Sequence, residues 1–441
     1  MKFGGTAKPR TNTHPLESLN DEYLQHCGVG RTLSILGSTG SIGTQALQVL
    51  RHLCSLSHTS LYDADAPIRV RALSAGRNSL ELLAQQAVET RAELIATSGT
   101  EQDRITLQEL IQQHSTAHGL SGYTPQIICG ENASSEAASC GADIVLNGIT
   151  GSIGLRPTLA ALASGSHVAL ANKESLIAGG ALVRQAVDQS PREQPLIPVD
   201  SEHSALAQAL NAGHDSEIER LILTASGGPF RGMTKEQLQH VTPEQALAHP
   251  TWDMGKVVTT NSASMVNKAL EVLEAHYLFG VDLDHIDVTV HPQSVVHSMV
   301  QFIDGTTIAQ ASPPTMLLPI ALGLTWPYRI PRVAPACNWN IAQKWTFEPL
   351  DEEAFPAVRI IKDAGRRGGT LPTVFNAANE EAVEAFHEKK ISFTAMIDTV
   401  QKVLDEHESS SAYCSEKNLT LDSVLEAERW ARIRAGEILA Q

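Results

Sequence analysis

The sequence predicts an α/β protein in three parts, and three observations carry that prediction. From Arg31 to about residue 195, short apolar strand signals alternate with stretches of helical periodicity, the pattern of parallel strands joined by crossover helices. From Leu196 the strand candidates are instead joined by long loops rich in Gly, Pro and His, and one strand pair flanks Asp304-Gly305, a hairpin signal. Beyond residue 350 the apolar spacing is helical throughout. The expected architecture is therefore an N-terminal Rossmann-like doubly wound sheet over 31–195, a mixed α/β catalytic unit over 196–311, and a C-terminal helical domain over 351–441. A connection over 312–350 joins the last two.

The elements follow in order. Thr32 to Leu36 reads as a short buried strand; Gly37 to Gly43 is a glycine-rich turn, and Thr44 to Leu53 has helical periodicity. Ile68 to Leu73 is a second strand, followed by Gly76-Arg77-Asn78 and an amphipathic helix over Ser79 to Thr90. Further strand signals lie at Leu94–Thr97, Gln126–Cys129, Asp143–Leu146 and His167–Ala171. In the second part they are Leu196–Val199, Arg220–Thr224, Asp287–Val290, Val295–Phe302 and Thr306–Gln310. Six prolines between Ser312 and Ala336 mark a linker or extended crossing. Helices are expected over Glu352–Ala364, Pro372–Glu388, Ser392–Glu406 and Leu421–Leu439, with Pro372 in a first turn, where its missing donor costs nothing.

Composition narrows the function classes. A chain of 441 residues exceeds one compact core, since domains run to about 150 residues. With 33 basic and 49 acidic residues the formal charge is −16, a field that repels nucleic acid. An acidic chain that binds phosphates must do so through local donors. The six cysteines form no C-x-x-C pair, which points to reduced, packed thiols. No apolar run approaches the ~20 residues that span a bilayer. Residues 1–30 are polar and carry Glu17, Asp21 and Glu22, unlike a secretion signal or transit peptide; they read as a flexible tail of a cytoplasmic protein.

A strand, then Gly37-x-x-Gly40-x-x-Gly43, then a helix is the context a pyrophosphate requires. Glycines permit the tight turn and close approach, and the helix N-terminus offers free N–H groups. A glycine-rich turn without a ligand has the same spacing. At the end of the second strand there is no carboxylate for a ribose hydroxyl; Arg77 stands there instead. It reads either as a partner for a 2′-phosphate, favouring NADP, or as a solvated loop cation.

Lys173, between Asn172 and Glu174, follows a buried strand of the first sheet, where the ligand crevice of such folds lies. Asp200 and Glu202 flank Ser201. Two carboxylates so spaced either converge on a hard cation or mark a helix start capped by Ser201. A third carboxylate tips the balance toward a cation, and Glu271 is the candidate, one turn after Asn267 and beside Lys268. The plain alternative for Lys268 and Glu271 is a surface pair. Ser226-Gly-Gly228 offers consecutive N–H groups for an anion nest, with Ser262, Asn267 and Lys268 as partners. His249, Trp252 and Gly255 belong to a long loop that reads as a lid or as a loop with a partly buried Trp.

In order, the motifs GSTGSIG, AGRN, LANKESL, PVDSEHSA, SGGPF, HPTWDMG, NSASMVNKALE and HPQSVVHSMV, with Leu371 to Glu380 in the C-terminal part, resemble the 1-deoxy-D-xylulose 5-phosphate reductoisomerase family. The resemblance implies a homodimeric enzyme that turns that sugar phosphate into 2-C-methyl-D-erythritol 4-phosphate, in isoprenoid precursor synthesis, with NADPH. The implied chemistry is carbon–carbon cleavage and rejoining followed by hydride transfer. It implies Asp200, Glu202 and Glu271 as ligands of Mg2+ or Mn2+ (Co2+ being a further option), with Lys173, Glu202 and Glu271 at the chemistry. Lys173 and Ser201 would hold the reacting oxygens, and Ser226, His249, Ser262, Asn267 and Lys268 the phosphate. Trp252 and Met254 would lie in a flap within 226–256. Thr39, Gly40, Ser41, Ile42, Gly76, Arg77, Asn78, Asn172, Glu174 and Gly255 would meet the cofactor. Arg77, Asn261, Ser264 and Ala269 depart from the family's usual Lys, Asp, Thr and Gly. His203 and His291 fall in matching motifs, and packed, hydrogen-bonded rings are expected there.

Two rivals remain at this level. A plain NADP-dependent dehydrogenase accounts for the first part but leaves the three carboxylates unused. A regulatory dinucleotide-binding protein predicts neither metal nor turnover and leaves the second part without a purpose.

Overall fold

Parallel strands buried on both faces must be nearly continuous runs of apolar residues, and the first strand obeys this. β1 (Arg31–Leu36) holds Leu33, Ile35 and Leu36 with no exposure. The computed structural model describes residues 30–120, 122–248 and 255–441, so the N-terminal tail expected over 1–30 lies almost wholly outside the described residues. After β1 come α1 (Ser41–Ser57), β2 (Ile68–Ala75), α2 (Leu80–Thr90), β3 (Leu94–Thr97), α3 (Glu101–Ala117) and β4 (Gln126–Cys129). Then follow α4 (Ala133–Ala138), β5 (Ile144–Asn147), α5 (Leu155–Ala163), β6 (His167–Leu170), α6 (Glu174–Asp188) and β7 (Leu196–Pro198).

These strands form one parallel sheet in the order β4-β3-β2-β1-β5-β6-β7. The chain reverses its direction of travel across the sheet at β1, and a doubly wound fold opens its ligand crevice at the carboxyl ends there. The strand at Leu196, expected to open the second unit, instead extends the first sheet, pairing Val168 with Leu196. Periodicity cannot choose between sheets for so short an apolar run.

The second sheet contains β8 (Ile218–Ala225), β9 (Ile286–Val290), β10 (Val296–Phe302), β11 (Thr307–Ala311) and β12 (Glu348–Pro349) in the order β11-β10-β8-β9-β12. It is mixed: β8 and β9 are parallel, β10 is antiparallel to both β8 and β11. The Asp304-Gly305 turn closes the expected hairpin, with Gly305 at φ 85°, a conformation glycine adopts without a Cβ penalty. Helices α7 (Ser201–Leu210), α8 (Lys235–Leu238), α9 (Pro243–Ala246), α10 (Lys256–Ala263) and α11 (Val266–Phe279) accompany this sheet.

The proline-rich stretch is not wholly extended. It contains α12 (Leu317–Thr325), whose Ile320, Ala321 and Leu324 join the core of the first sheet. Pro319 sits in its first turn, where a missing N–H is tolerated. Four C-terminal helices follow: α13 (Ala357–Arg367), α14 (Leu371–His387), α15 (Phe393–His407) and α16 (Leu421–Leu439). Phe375, Val400 and Ala431 from these helices share one buried core with Leu221, Leu223 and Val300 of the second sheet. The C-terminal helices are thus packed on the mixed sheet rather than around a core of their own.

One contact aligns the two halves. A Cβ on Gly180 of α6 would lie 2.4 Å from the Tyr277 ring of α11, so only glycine lets the two helices approach this closely. That approach brings the start of α6, at Lys173, to the flank of α11 that carries Glu271.

Candidate active site

At the crevice of the first sheet the glycines meet specific demands. Gly37 adopts φ 78°, and a Cβ there would come within 2.8 Å of the Gly148 carbonyl, in the loop after β5. A Cβ on Gly43 would fall 2.4 Å from Ser38 Cα, so the first turn of α1 can lie on the glycine loop only without a side chain. α1 begins at Ser41 with no side-chain cap, which leaves its first N–H groups open toward the crevice. Thr39 and Ile42 are half-buried, and Gly40 and Ser41 are exposed. Gly76, Arg77 and Asn78 are exposed at the end of β2, as a site for the adenosine end requires.

Asn172 differs from expectation. It is 2 % exposed, and its amide donates to the Ile149 and Gly151 carbonyls at 2.6 and 2.8 Å. Its oxygen accepts from Ser175 N. The side chain supports the loop after β5 from beneath and is not open to a ligand. Glu174 accepts from the same amide at 3.1 Å, and burial pushes its carboxyl above the ordinary range.

The charged constellation draws on three separate segments. Lys173 lies at the start of α6, Asp200 to His203 at the start of α7, and Asn267 to Glu274 on α11. Asp200, Glu202 and Glu271 each place one carboxylate oxygen within 4.8 Å of the others. Two ammonium groups sit among them. Lys173 Nζ is 3.2 Å from Asp200 Oδ2 and 3.1 Å from Glu271 Oε1, and donates to Asn267 Oδ1 at 2.8 Å. Lys268 Nζ is 3.1 Å from Glu202 Oε1 and contacts Glu271 directly. Asn267 Nδ2 donates to Glu271 at 2.5 Å, and Ser201 Oγ to Glu202 at 2.5 Å.

Lys268 and Glu271 are 4 % and 1 % exposed, so they are not the surface pair that spacing alone permits. Burial opposes charge on Lys173, yet Glu271, Asp200 and Glu274 more than reverse it and hold the ammonium well above its usual range. Burial likewise opposes charge on Lys268, and Glu202 and Glu271 raise it. Asp200 is held well below the carboxylate range: burial alone would raise it, but Lys173, His203 and Lys268 prevail.

The geometry accommodates both a helix start and a cation at this segment. The cap is Asp200 rather than Ser201, its carboxylate accepting from Glu202 N at 3.1 Å. Ser201 is left free of that duty. Three oxygen donors suit a hard divalent cation, and the three carboxylates outnumber the two ammonium groups among them. The residues therefore fit such an ion.

His203 is fully buried, and its role was not legible in the sequence. Its Nε2 donates to the Glu271 carbonyl at 2.8 Å, while Nδ1 faces Glu274 Oε2 at 3.2 Å and Asp200 Oδ1 at 3.4 Å. Although burial opposes its charge, Glu274 and Asp200 lift the ring to about 9. The signal that could have found Glu274 is its i,i+3 spacing from Glu271, which continues the polar row of Asn267, Lys268 and Glu271 along one helix face. His291 is packed as expected: Nδ1 lies 2.9 Å from the Thr346 carbonyl, and the ring stacks on Phe347 at 4.6 Å.

The serine loop approaches the same place from the second sheet. Gly227 and Gly228 after β8 adopt φ 83° and 63°, and a Cβ on Gly228 would lie 2.9 Å from Ala263 Cα and 3.0 Å from the Ser262 carbonyl. Ser226 and Ser262 are thereby on adjoining segments. Met265, at φ 63° and buried, turns the chain between α10 and α11, so Ser262 and Asn267 stand on either side of that turn. The Lys268 ammonium points at the carboxylates. Asn261, where the family usually has Asp, accepts from Asn379 of α14 at 3.0 Å. Gly255 is exposed at the cap of α10. His249, Trp252 and Met254 lie outside the described residues.

Comparison with known proteins agrees with this geometry. The family model for 1-deoxy-D-xylulose 5-phosphate reductoisomerase matches residues 33–180, and that of its C-terminal domain residues 196–279. A further model, the DXP reductoisomerase C-terminal domain, matches residues 311–434. A 1-deoxy-D-xylulose 5-phosphate reductoisomerase of Arthrobacter sp. (strain FB24) is 60 % identical over 410 residues, covering 93 % of this chain and 98 % of the relative. The solved structure of the Zymomonas mobilis enzyme in complex with NADPH superposes with a TM-score of 0.80 at 36 % identity, over 93 % of this chain and 99 % of that one. A DOX-P reductoisomerase in complex with NADPH, fosmidomycin and magnesium gives a TM-score of 0.81 at 32 % identity, over 93 % and 98 %. The chain belongs to the 1-deoxy-D-xylulose 5-phosphate reductoisomerase family.

Proposed function

We propose that this chain rearranges 1-deoxy-D-xylulose 5-phosphate and reduces the product to 2-C-methyl-D-erythritol 4-phosphate, with NADPH as hydride donor and Mg2+ or Mn2+ held by Asp200, Glu202 and Glu271. The observation that carries this reading is the meeting of those three carboxylates, one buried and two partly buried, with Lys173, beside the carboxyl end of β6. A plain dehydrogenase has no use for such a cluster.

The divalent cation supplies Lewis acidity to neighbouring oxygens of the sugar chain. The remaining work falls to side chains. Lys173 stays protonated among the acids and offers its N–H groups to the reacting oxygens. Ser201, released from capping, is free to orient a substrate hydroxyl once its bond to Glu202 is exchanged. Ser226 and Ser262 receive the phosphate on adjoining segments, and Asn267 and Lys268 reach it by turning from the acids toward the serines. Thr39, Gly40, Ser41 and Ile42 take the pyrophosphate, with Gly76, Arg77 and Asn78 at the 2′-phosphate. Glu174 and Gly255 border the nicotinamide end. The segment 226–256, with His249 and Trp252, acts as a flap that excludes water.

Two finer statements belong to the same reading. The chain pairs with a second copy: β11 is an edge strand of the second sheet, and Ile303, Trp339, Ile341 and Phe347 are exposed by 66, 70, 60 and 45 %, large apolar side chains that an interface would cover. Sedimentation at monomer mass would end that proposal. The chain works in the cytoplasm, supported by five unpaired cysteines among the described residues. No helix among them is long and apolar enough to cross a membrane.

The deciding experiment follows NADPH oxidation with 1-deoxy-D-xylulose 5-phosphate, with and without Mg2+ or Mn2+, in wild type and Glu271→Gln. Metal-dependent oxidation that falls by about 10³-fold in the variant is expected. Metal-independent oxidation would remove the cation from the site, and no oxidation by a folded, NADPH-binding protein would remove the reaction.

A further inference from the structure

Behind the three carboxylates lies a pair of side chains that reach no crevice. His203 is 0 % exposed and Glu274 1 % exposed, and both stand on the far side of Asp200 from Glu202 and Lys173. Yet the ring spans two of the three acids. On one side Nε2 donates to the backbone carbonyl of Glu271, fixing the register of α11 against α7. On the other, Nδ1 faces Asp200 Oδ1 at 3.4 Å and Glu274 Oε2 at 3.2 Å. A carbonyl only accepts, so Nε2 carries a hydrogen; the two groups nearest Nδ1 are both carboxylates. Two carboxylates and one backbone carbonyl thus surround the ring. Without Glu274 the ring would have one charged partner on its Nδ1 side and freedom to tilt away from Asp200.

We propose that Glu274 is a positioning residue for the cation: its carboxylate holds the His203 ring in the orientation that aims Asp200 and Glu271 at a common point. The proposal rests on the three-carboxylate reading above. Asp200 is held by Lys173 on Oδ2 and by the Glu202 amide on Oδ1; the His203 ring adds a third contact on Oδ1, and it is the one that ties Asp200 to Glu274 and the Glu271 backbone of α11. Carboxylates that orient a ligand-bearing histidine are a familiar way of tuning a metal site, and their loss lowers metal affinity by about 10–100-fold. Here the order is shifted by one place: the histidine binds no ion and instead orients the acids that do.

Two substitutions separate contact from charge. Glu274→Asp keeps the charge and draws the carboxylate back by one methylene, out of reach of Nδ1. Glu274→Gln keeps the length and an accepting oxygen and loses the charge. Mn2+ binding to the protein with NADPH present, read from the fall in the free Mn2+ paramagnetic resonance signal, is the measurement. Positioning predicts that Glu274→Asp weakens Mn2+ binding by about tenfold or more while Glu274→Gln stays within about threefold. Glu274→Gln losing as much as Glu274→Asp, or more, would overturn positioning in favour of a field effect. Glu274→Asp binding Mn2+ as wild type does would overturn it outright. NADPH binding by each variant, unchanged from wild type, verifies the fold, and the near-isosteric Glu274→Gln anchors the series. Glu271→Gln run beside them keeps the two readings apart: wild type that fails to bind Mn2+ sinks the metal site itself, whereas wild-type binding lost in Glu271→Gln but kept in Glu274→Asp sinks only the role of Glu274.

Discussion

The crevice of the first sheet and the charged cluster at its edge are built on opposite principles. The crevice is made of backbone. Gly37 and Gly43 are there because a Cβ would strike Gly148 O or Ser38 Cα, and all the residues concerned lie within one strand–turn–helix unit or the loop beside it. The cluster is made of side chains from three segments, in which Lys173 and Glu271 stand 98 positions apart in sequence with Asp200 between them. Close packing holds the first in shape, and mutual charge compensation holds the second. The difference teaches that the crevice can be damaged by adding a single methyl group, the cluster by removing a single charge.

The largest effect is therefore expected from Lys268→Met. It leaves Glu271, with 1 % exposure, short of one of its two cationic partners. Breaking one side of a buried pair costs about 3–5 kcal/mol, so thermal or urea unfolding should show a loss near that size. Mg2+ or Mn2+ should return part of it, because the ion replaces the missing charge. A variant as stable as wild type in the absence of metal would show that compensation does not hold the cluster together.

Gly43→Ala tests the other region. With its new methyl 2.4 Å from backbone atoms, the glycine loop must shift, at a cost of about 1–3 kcal/mol. NADPH affinity should fall by tenfold or more, measured by quenching of protein fluorescence, while Mn2+ binding stays as in wild type. Equal loss of both ligands would mean that the two regions are one unit.

The smallest effect is expected from Arg77→Ala. Arg77 is exposed, so the fold should be indifferent. The ratio of NADPH to NADH affinity should drop by about tenfold, the scale of one exposed charge-assisted contact of about 1.4 kcal/mol. An unchanged ratio would return Arg77 to the status of a solvated cation and pass the choice of cofactor to the neighbouring loop.

Much of this was legible without coordinates. Strand–GSTGSIG–helix identifies its own geometry because the turn, the glycines and the helix start are contiguous. The Asp304-Gly305 hairpin and the helix from Leu421 to Leu439 are local in the same sense. What was not legible depended on partners distant in sequence. β7 reads as the start of something new, yet it closes the first sheet because Val168 offers it an edge. The proline-rich stretch reads as a linker, yet Ile320 and Leu324 find a core to enter. Asn172 reads as a ligand contact because of where it stands, but the Ile149 and Gly151 carbonyls claim its amide.

By itself the sequence determined the α/β class and the glycine turn between strand and helix, because each rests on residue type and short-range spacing; the three acids entered through the resemblance that the ordered motifs carry. Only the tertiary structure decided that the acids meet, that Lys268 is buried with Glu271, and that His203 and Glu274 stand behind them. The physical reason is the range of the interactions. Turn chemistry and periodicity act over a few residues, whereas the desolvation and pairing of charge are fixed by whatever the fold brings within a few ångströms.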